Sequence, residues 1–162
     1  MRRFVGWCVL LCLAAVVGCG QSPPPVTYSV AVYDPARDPA ADLSATVETA
    51  RASGKRILLQ MGGDWCSWCH RLDKFIAAQP AVAKAVGDNF IVMKVNKSDE
   101  NENQEFLAQY PEIPGYPHWY VLDADGELLH SQRTSELEAG QTYSQPAILM
   151  FVDQWKADAA GA

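Results

Sequence analysis

Positive charge and histidine are both scarce in this sequence of 162 residues. Thirteen lysines and arginines stand against nineteen aspartates and glutamates, so the formal net charge is −6. A chain of this sign is repelled by a phosphate backbone, which leaves nucleic-acid binding without electrostatic support. Of the three histidines, His118 and His130 lack the spacing of metal ligands. We therefore expect neither a nucleic-acid partner nor a metal site.

Long apolar runs, internal repeats and low-complexity tracts are also missing, apart from a few clustered prolines. The apolar run over residues 4–17 is too short to cross a bilayer comfortably. An apolar share of 49% and a charged share of 20% are typical of a globular protein. This composition argues against a multispanning membrane protein, and the length predicts one domain of ordinary size.

The amino-terminal segment has the features of an export signal. Arginines precede the apolar run, which ends at Gly18-Cys19. This ending resembles the lipobox of bacterial lipoproteins, which implies a signal peptide over residues 1–18, a lipid on Cys19 and a lipid-anchored linker over residues 19–39. The resemblance also implies a place in the cell envelope, facing the periplasm or the exterior, and on the outer membrane in a Gram-negative cell. The alternative is an ordinary cleaved signal with an incidental Cys19.

Removal of this leader changes the cysteine count. Cys8 and Cys12 lie inside the apolar run, and a lipid would consume Cys19. Only Cys66 and Cys69 then remain as thiols. In an oxidising compartment such a close pair does not stay an inert dithiol, and the loop it closes is too small to add much stability. The pair therefore indicates a chemical role rather than a stabilising one.

The pattern of apolar residues predicts strands that alternate with helices, followed by a strand hairpin and a last helix. Strands are expected over residues 26–32, 56–61, 90–95, 118–122 and 127–130. Helices are expected over residues 40–52, 65–78, 81–86, 102–110 and 143–157. Strands separated by helices are mostly parallel, whereas a hairpin is antiparallel. We expect an α/β fold with a mixed central sheet and helices on both faces.

The cysteine pair falls where a buried strand gives way to a helix. Free backbone N–H groups and the helix dipole at such a position stabilise a thiolate. We expect Cys66 at an exposed tip, where its thiolate attacks a substrate disulfide. Cys69 shares a helix face with Leu72 and Ile76, so we expect it to be covered and to resolve the mixed disulfide. Trp65 and Trp68 would rim the site and contact a protein substrate.

Two motifs in the right order resemble the thioredoxin superfamily. The first is the buried strand and turn of residues 58–69, which contains Trp-Cys-Ser-Trp-Cys, and the second is the loop Ile-Pro-Gly-Tyr-Pro of residues 113–117. The resemblance implies a thioredoxin-like domain over residues 40–162 that exchanges disulfides with protein substrates and needs an upstream redox partner but no cofactor. It also implies that Pro117 is a cis-proline against the Cys66–Cys69 disulfide and that the backbone of Tyr116 pairs with a substrate strand.

The sequence also departs from this family's pattern. Gln60 stands where many thioredoxins have a buried Asp that helps to move a proton, and an amide cannot titrate. Ser67-Trp68 stands between the cysteines in place of the Gly-Pro of reducing thioredoxins. The direction of electron flow is therefore open at this point.

Two other functions fit the same residues. A redox-inert lipoprotein could use this fold and a structural disulfide to bind a partner. The run Cys66-x-x-Cys69-His70 also fits c-type haem attachment, with Met61, Met93 or His118 as a second axial ligand. His70 itself is either a neighbour that tunes the sulfur of Cys66 or a solvated surface side chain.

Overall fold

A five-stranded mixed sheet forms the centre of the computed structural model, which describes residues 26–157. Its strands lie in the order β1-β3-β2-β4-β5. Strand β3 is parallel to both β1 and β2, whereas β4 is antiparallel to β2 and β5. The strands are β1 Thr27–Val30, β2 Arg56–Gly62, β3 Phe90–Asn96, β4 His118–Leu122 and β5 Leu128–Arg133. The predicted mixed sheet is confirmed.

Helices cover both faces of this sheet. They are α1 Pro39–Ser53, α2 Ser67–Ala78, α3 Pro80–Asn89, α4 Gln104–Leu107 and α5 Gln145–Trp155. One apolar cluster joins one face to α2, α3 and α5, and a second joins the other face to α1 and α4. Side-chain caps define the helix starts, since Asp38 accepts the first N–H groups of α1 and Ser144 accepts one of α5. The predicted α/β architecture is therefore confirmed.

Several predicted boundaries were wrong. Helix α2 begins at Ser67 rather than at residue 65, because Cys66 has extended backbone angles and serves as its N-cap. Helix α4 is only four residues long, because Asn103 before it adopts a left-handed conformation with φ 47°. A 3₁₀ turn, Thr134–Leu137, and a small hairpin of β6 Glu138–Ala139 and β7 Thr142–Tyr143 were not predicted. They are too short to show a periodic apolar pattern.

Strand β1 lies within the segment that the sequence assigned to a linker. Thr27 and Tyr28 pair with Ile91 and Val92 of β3, so this strand is part of the sheet. The folded part therefore starts at or before Thr27 rather than at residue 40. Cys19 and residues 1–18 lie outside the described residues. Within residues 26–157 no helix is long and apolar enough to span a bilayer.

The parallel strands determine where the functional segments meet. Strands β1, β2 and β3 all end at the same edge of the sheet. The segments that follow them carry Tyr33, the cysteine motif and Lys97, respectively. Ligand sites in open α/β sheets lie beyond the carboxyl ends of the strands. The topology thus brings together three segments that are far apart in the sequence.

Candidate active site

The disulfide between Cys66 and Cys69 sits at the first turn of α2. The S–S distance is 2.05 Å and the two Cα atoms are 5.2 Å apart. Cys66 is the N-cap residue, and its sulfur accepts the N–H of Cys69 over 3.1 Å. The same N–H also donates to the backbone oxygen of Cys66 over 3.0 Å. This shared donor and the helix dipole will stabilise a thiolate at Cys66 once the disulfide is reduced.

Cys66 is not at an exposed tip, and this prediction was wrong. Its exposed fraction is 3%, and that of Cys69 is 0%. The two cysteines form a small cluster with the buried Tyr33, against which Trp68 and Tyr116 also pack. The prediction considered the helix end alone, without the loops that pack around it. Side chains from the loops after β1 and before β4 cover the sulfur.

Tyr33 is the functional residue that sequence reasoning missed. It follows β1, is 4% exposed and lies against the disulfide. A Cβ atom at Gly62 would stand 2.5 Å from the sulfur of Cys69 and 3.0 Å from the phenol oxygen of Tyr33. Only a glycine at position 62 lets both groups approach the strand. The available signal was a large aromatic residue beyond the carboxyl end of a parallel strand. That signal can be recognised only when the order of the strands in the sheet is known.

Gln60 connects this tyrosine to a buried polar network beneath the helix. Its side-chain N–H₂ donates to the hydroxyl of Tyr33 over 2.8 Å and to Asp73 over 2.9 Å. Its carbonyl oxygen accepts the indole N–H of Trp119 over 3.2 Å. Asp73 also pairs with Lys94 over 2.7 Å. All hydrogen-bonding groups of the Gln60 amide are engaged, which fixes its orientation.

In the same network the carboxylate of Asp73 lies beside Gln60, which stands where many thioredoxins have a buried Asp. Asp73 comes from α2 and Lys94 from β3, and the side chain of Lys94 is only 9% exposed. The ammonium group of Lys94 lies 5.1 Å from the ring centroid of Tyr33. Burial, the largest cause, and the negative charge of Asp73 both raise the pKa of Tyr33, so its phenol stays neutral.

The proline loop lies beside the cysteines as the family resemblance implied. The peptide bond between Tyr116 and Pro117 is cis. The hydroxyl of Thr134 donates to the carbonyl oxygen of Pro117. Tyr116 meets the ring of Trp65 edge to face, with centroids 5.4 Å apart. The two predicted substrate-binding residues Trp65 and Tyr116 are therefore neighbours.

Trp65 marks the open side of the site. Its side chain is 58% exposed, and its indole N–H donates to the backbone oxygen of Lys97 over 2.7 Å. Gly63 allows this approach, since a Cβ there would lie 2.4 Å from the indole nitrogen. A groove of about 650 Å³ opens beside the indole. Its lining includes three aromatic and three acidic residues, namely Tyr33, Trp65, Tyr116, Asp64, Asp99 and Glu100.

Trp68 and His70 face away from this groove. Trp68 is half-buried, meets Tyr143 edge to face and carries the guanidinium of Arg71 4.3 Å above its ring. Its packing against the disulfide comes from the helix side. The Nε2 atom of His70 lies 2.7 Å from the backbone oxygen of Asp64, so the ring braces the motif's turn rather than the sulfur of Cys66.

The haem alternative is not supported by the placement of its candidate ligands. Met61 and Met93 are fully buried in the cluster that faces α1 and α4, on the sheet face opposite α2. His118 lies next to Tyr120 of that same face, and its Nε2 atom is 2.8 Å from the hydroxyl of Ser131. Burial, above all, lowers the pKa of His118 to about 4. None of these side chains faces the cysteine pair.

Comparison with known proteins completes the description of the site. The family model described as thioredoxin-like matches residues 38–124, which is more than half of the chain. The chain belongs to the thioredoxin-like family. The matched region contains the cysteine motif, the polar network and the cis-proline, so the predicted superfamily is confirmed together with its fold.

Curated relatives of this thioredoxin-like chain include thiol:disulfide interchange proteins. It is 33% identical over 119 residues to the thiol:disulfide interchange protein DsbD of Pseudomonas fluorescens, covering 71% of this chain and 20% of the relative. It is 27% identical over 95 residues to DsbD of Salmonella paratyphi A, covering 59% and 17%. The chain thus spans about a fifth of the length of these relatives. The activity in their name, thiol:disulfide interchange, is of the class that the sequence predicts for this chain.

Solved structures show the same fold. A disulphide isomerase from Xylella fastidiosa Temecula1 aligns with a TM-score of 0.64 and 24% identity, covering 75% of this chain and 94% of that one. The oxidised C-terminal domain of Neisseria meningitidis DsbD aligns with a TM-score of 0.56 and 22% identity, covering 78% and 100%. At these identities the likeness supports the fold alone.

Proposed function

We propose that this thioredoxin-like domain exchanges thiols and disulfides with protein partners, with Cys66 as the attacked and attacking sulfur and Cys69 as the resolving one. The observation that carries the proposal is the N-cap position of Cys66, where the N–H of Cys69 points at its sulfur. Cys69 has no exposed surface, so a partner's sulfur meets Cys66 first. The two cysteines are thus unequal, as a two-step exchange requires.

The exchange proceeds in two displacements. A partner thiolate attacks the sulfur of Cys66, a new mixed disulfide forms, and Cys69 leaves as a thiolate. A second thiolate of the partner then attacks the partner sulfur that is bonded to Cys66, and Cys66 leaves as a thiolate. The partner ends as a disulfide and the pair in this chain gains two electrons. The reverse sequence oxidises this pair and reduces a substrate disulfide.

The open groove is the proposed approach for the partner. Trp65 offers exposed apolar surface beside Tyr116, and the backbone of Tyr116 would pair with an extended partner segment. An extended segment gains main-chain hydrogen bonds in such a position. Protein thiols and disulfides, rather than small molecules alone, are therefore the proposed substrates.

The proposed location is the cell envelope. The leader over residues 1–18 and the lipobox-like ending at Cys19 support an exported lipoprotein, and the segment up to β1 would act as its spacer. On this account the outer membrane holds the anchor in a Gram-negative cell. Replacement of Cys19 by Ala should abolish incorporation of labelled palmitate, and labelling that persists would contradict the anchor.

One observation favours a second candidate function, the redox-inert binding module. The 3% exposure of Cys66 gives a small thiol almost no access to its sulfur in the closed, oxidised form. An inert module would keep its disulfide in the presence of any protein thiol. An exchanging enzyme would instead form a mixed disulfide with one.

Trapping of that mixed disulfide separates the two functions. A Cys69→Ser variant lacks the resolving thiol, so it should accumulate a covalent adduct with a protein that carries a disulfide. A Cys66→Ser variant should form at least about tenfold less adduct, because its remaining sulfur is covered. Non-reducing electrophoresis and mass spectrometry measure the adduct. Equal trapping by both variants, or none by either, would overturn the proposed roles.

A further inference from the structure

Tyr33 closes the disulfide from the side of the groove. It lies in the segment between β1 and α1 and forms the buried cluster with both cysteines. It also lines the groove that runs past Trp65 and Tyr116. One side of the ring therefore touches the disulfide and another borders open space. Among the described residues, Tyr33 alone both packs in the buried cluster of the cysteines and hydrogen-bonds to Gln60.

The closed ring is held by one hydrogen bond and by its packing in the buried cluster. The hydroxyl accepts one hydrogen bond from Gln60, over 2.8 Å, and the ring lies near the ammonium group of Lys94. Gln60 is held independently by Asp73 and Trp119, so it provides a fixed anchor that does not move with the loop. One hydrogen bond contributes little net free energy, so the main cost of opening is the burial of the ring, which an apolar side chain of a partner in its place would restore.

The backbone on either side of the ring limits how the ring can move. Val32 is 62% exposed, so the residue before Tyr33 has no packing to lose. The carbonyl oxygen of Pro35 accepts the side-chain N–H₂ of Asn101 over 2.8 Å, which ties the loop to the segment after β3. Rotation of the side chain into the groove is thus the simplest opening, because the loop itself is pinned two residues later.

We propose that Tyr33 is a gate that determines which thiols react with Cys66. This inference rests on the proposed exchange function and adds a substrate class to it. A protein partner that lays an apolar side chain into the groove displaces the ring and brings its thiolate to the sulfur of Cys66. A small thiol such as glutathione has no such group, so it reacts only during spontaneous opening. The gate leaves the two displacements of the exchange, and the two electrons that they transfer, unchanged.

Reduction kinetics of the oxidised full chain test the gate. The probes are reduced glutathione and a reduced thioredoxin, with the disulfide followed by tryptophan fluorescence and by alkylation of the released thiols. Tyr33→Phe keeps the ring but loses the hydrogen bond, so reduction by glutathione should rise about fivefold. Tyr33→Ala removes the ring and should raise it at least about tenfold. The thioredoxin rate should change much less, so the preference for the protein thiol falls.

Tyr28→Ala is the matched control for a general loosening of this sheet edge. Tyr28 lies on β1 and also approaches Lys94, at 5.6 Å, but it is not in the cluster around the disulfide. Its variant should react with glutathione at the rate of the unaltered chain. The gate is overturned if both tyrosine-to-alanine variants accelerate equally, or if folded Tyr33→Ala and Tyr33→Phe react no faster than the unaltered chain. A disulfide that no thiol reduces in any folded variant would instead remove the exchange function.

Discussion

The two sides of the disulfide are built in opposite ways. Beneath it, Gln60, Asp73 and Lys94 form a buried network in which every amide group of Gln60 has a partner. Beside it, the groove carries the exposed Trp65 and acids such as Asp64 that form no ion pair within residues 26–157. We call these regions the covered side and the open side.

The difference shows how rigidity and access are divided in this site. The covered side fixes the anchor of Tyr33, so changes there should cost stability. The open side contributes little to folding and is available for a partner. The disulfide lies between the two, with the covered side holding its geometry and the open side giving the route by which a partner arrives.

On the covered side, Gly62→Ala is expected to cause the largest loss of stability. The added methyl would stand 2.5 Å from the sulfur of Cys69, which the disulfide holds in place, and 3.0 Å from Tyr33. Such overpacking should lower the free energy of unfolding by roughly 3 kcal/mol. Gly115→Ala in the proline loop is the matched control, because its new methyl would meet no atom within 4 Å. Urea unfolding of the oxidised chains measures both, and equal losses would refute the crowding.

The next largest effect is expected from Asp73→Asn. The substitution keeps an acceptor for Gln60 but leaves the buried ammonium group of Lys94 without its carboxylate. The free energy of unfolding should fall by roughly 2 kcal/mol. Asp88→Asn removes an exposed pair with Lys84 and should change it by less than about 0.5 kcal/mol. Restoration of stability in Asp73→Asn/Lys94→Met would sharpen the assignment, whereas a loss no larger than that of Asp88→Asn would contradict it.

A smaller effect, at a buried residue on the opposite face of the sheet, depends on pH. His118 has a pKa of about 4 in the folded chain, mainly because it is buried, and about 6.5 when unfolded. The unfolded chain therefore binds more protons between these values, so stability falls as the pH drops from about 6.5 toward 4. The loss between pH 7 and pH 5 should be roughly 1 to 2 kcal/mol. His118→Gln should flatten this part of the curve, and an unchanged slope in that variant would contradict the assignment.

The smallest stability effect is expected on the open side. Asp64→Asn combined with Glu100→Gln removes two groove carboxylates without touching a buried contact. The free energy of unfolding should change by less than about 0.5 kcal/mol. A loss similar to that of Asp73→Asn would mean that the groove is part of the folding core, and the contrast between the two sides would fail.

The sequence was sufficient for the parts of the site that are local. Cys66, Cys69 and Pro117 each lie in a short motif with its own signature, and the buried strands and hairpin have clear apolar patterns. These predictions held, including the cis bond at Pro117. The fold class and the order of the main helices and strands could therefore be predicted from the sequence, and the disulfide and the cis bond from the family resemblance.

The parts that depend on topology could not be read in this way. Tyr33, Asp73 and Lys94 come from a loop, a helix and a strand that meet only because β1, β2 and β3 are parallel neighbours. None of them stands in a motif. The wrong prediction of an exposed Cys66 has the same origin, since the covering ring of Tyr33 belongs to a segment assigned to the linker.

The central claim is that the Cys66–Cys69 pair exchanges electrons with other thiols. Equilibration of the folded chain with mixtures of reduced and oxidised glutathione, continued until the fraction reduced is constant, tests it directly. The account predicts a single two-electron transition in which both cysteines become alkylatable together, with a potential inside the range of about −270 to −120 mV known for this fold. A pair that stays disulfide-bonded at every ratio, and also in excess dithiothreitol, would contradict it.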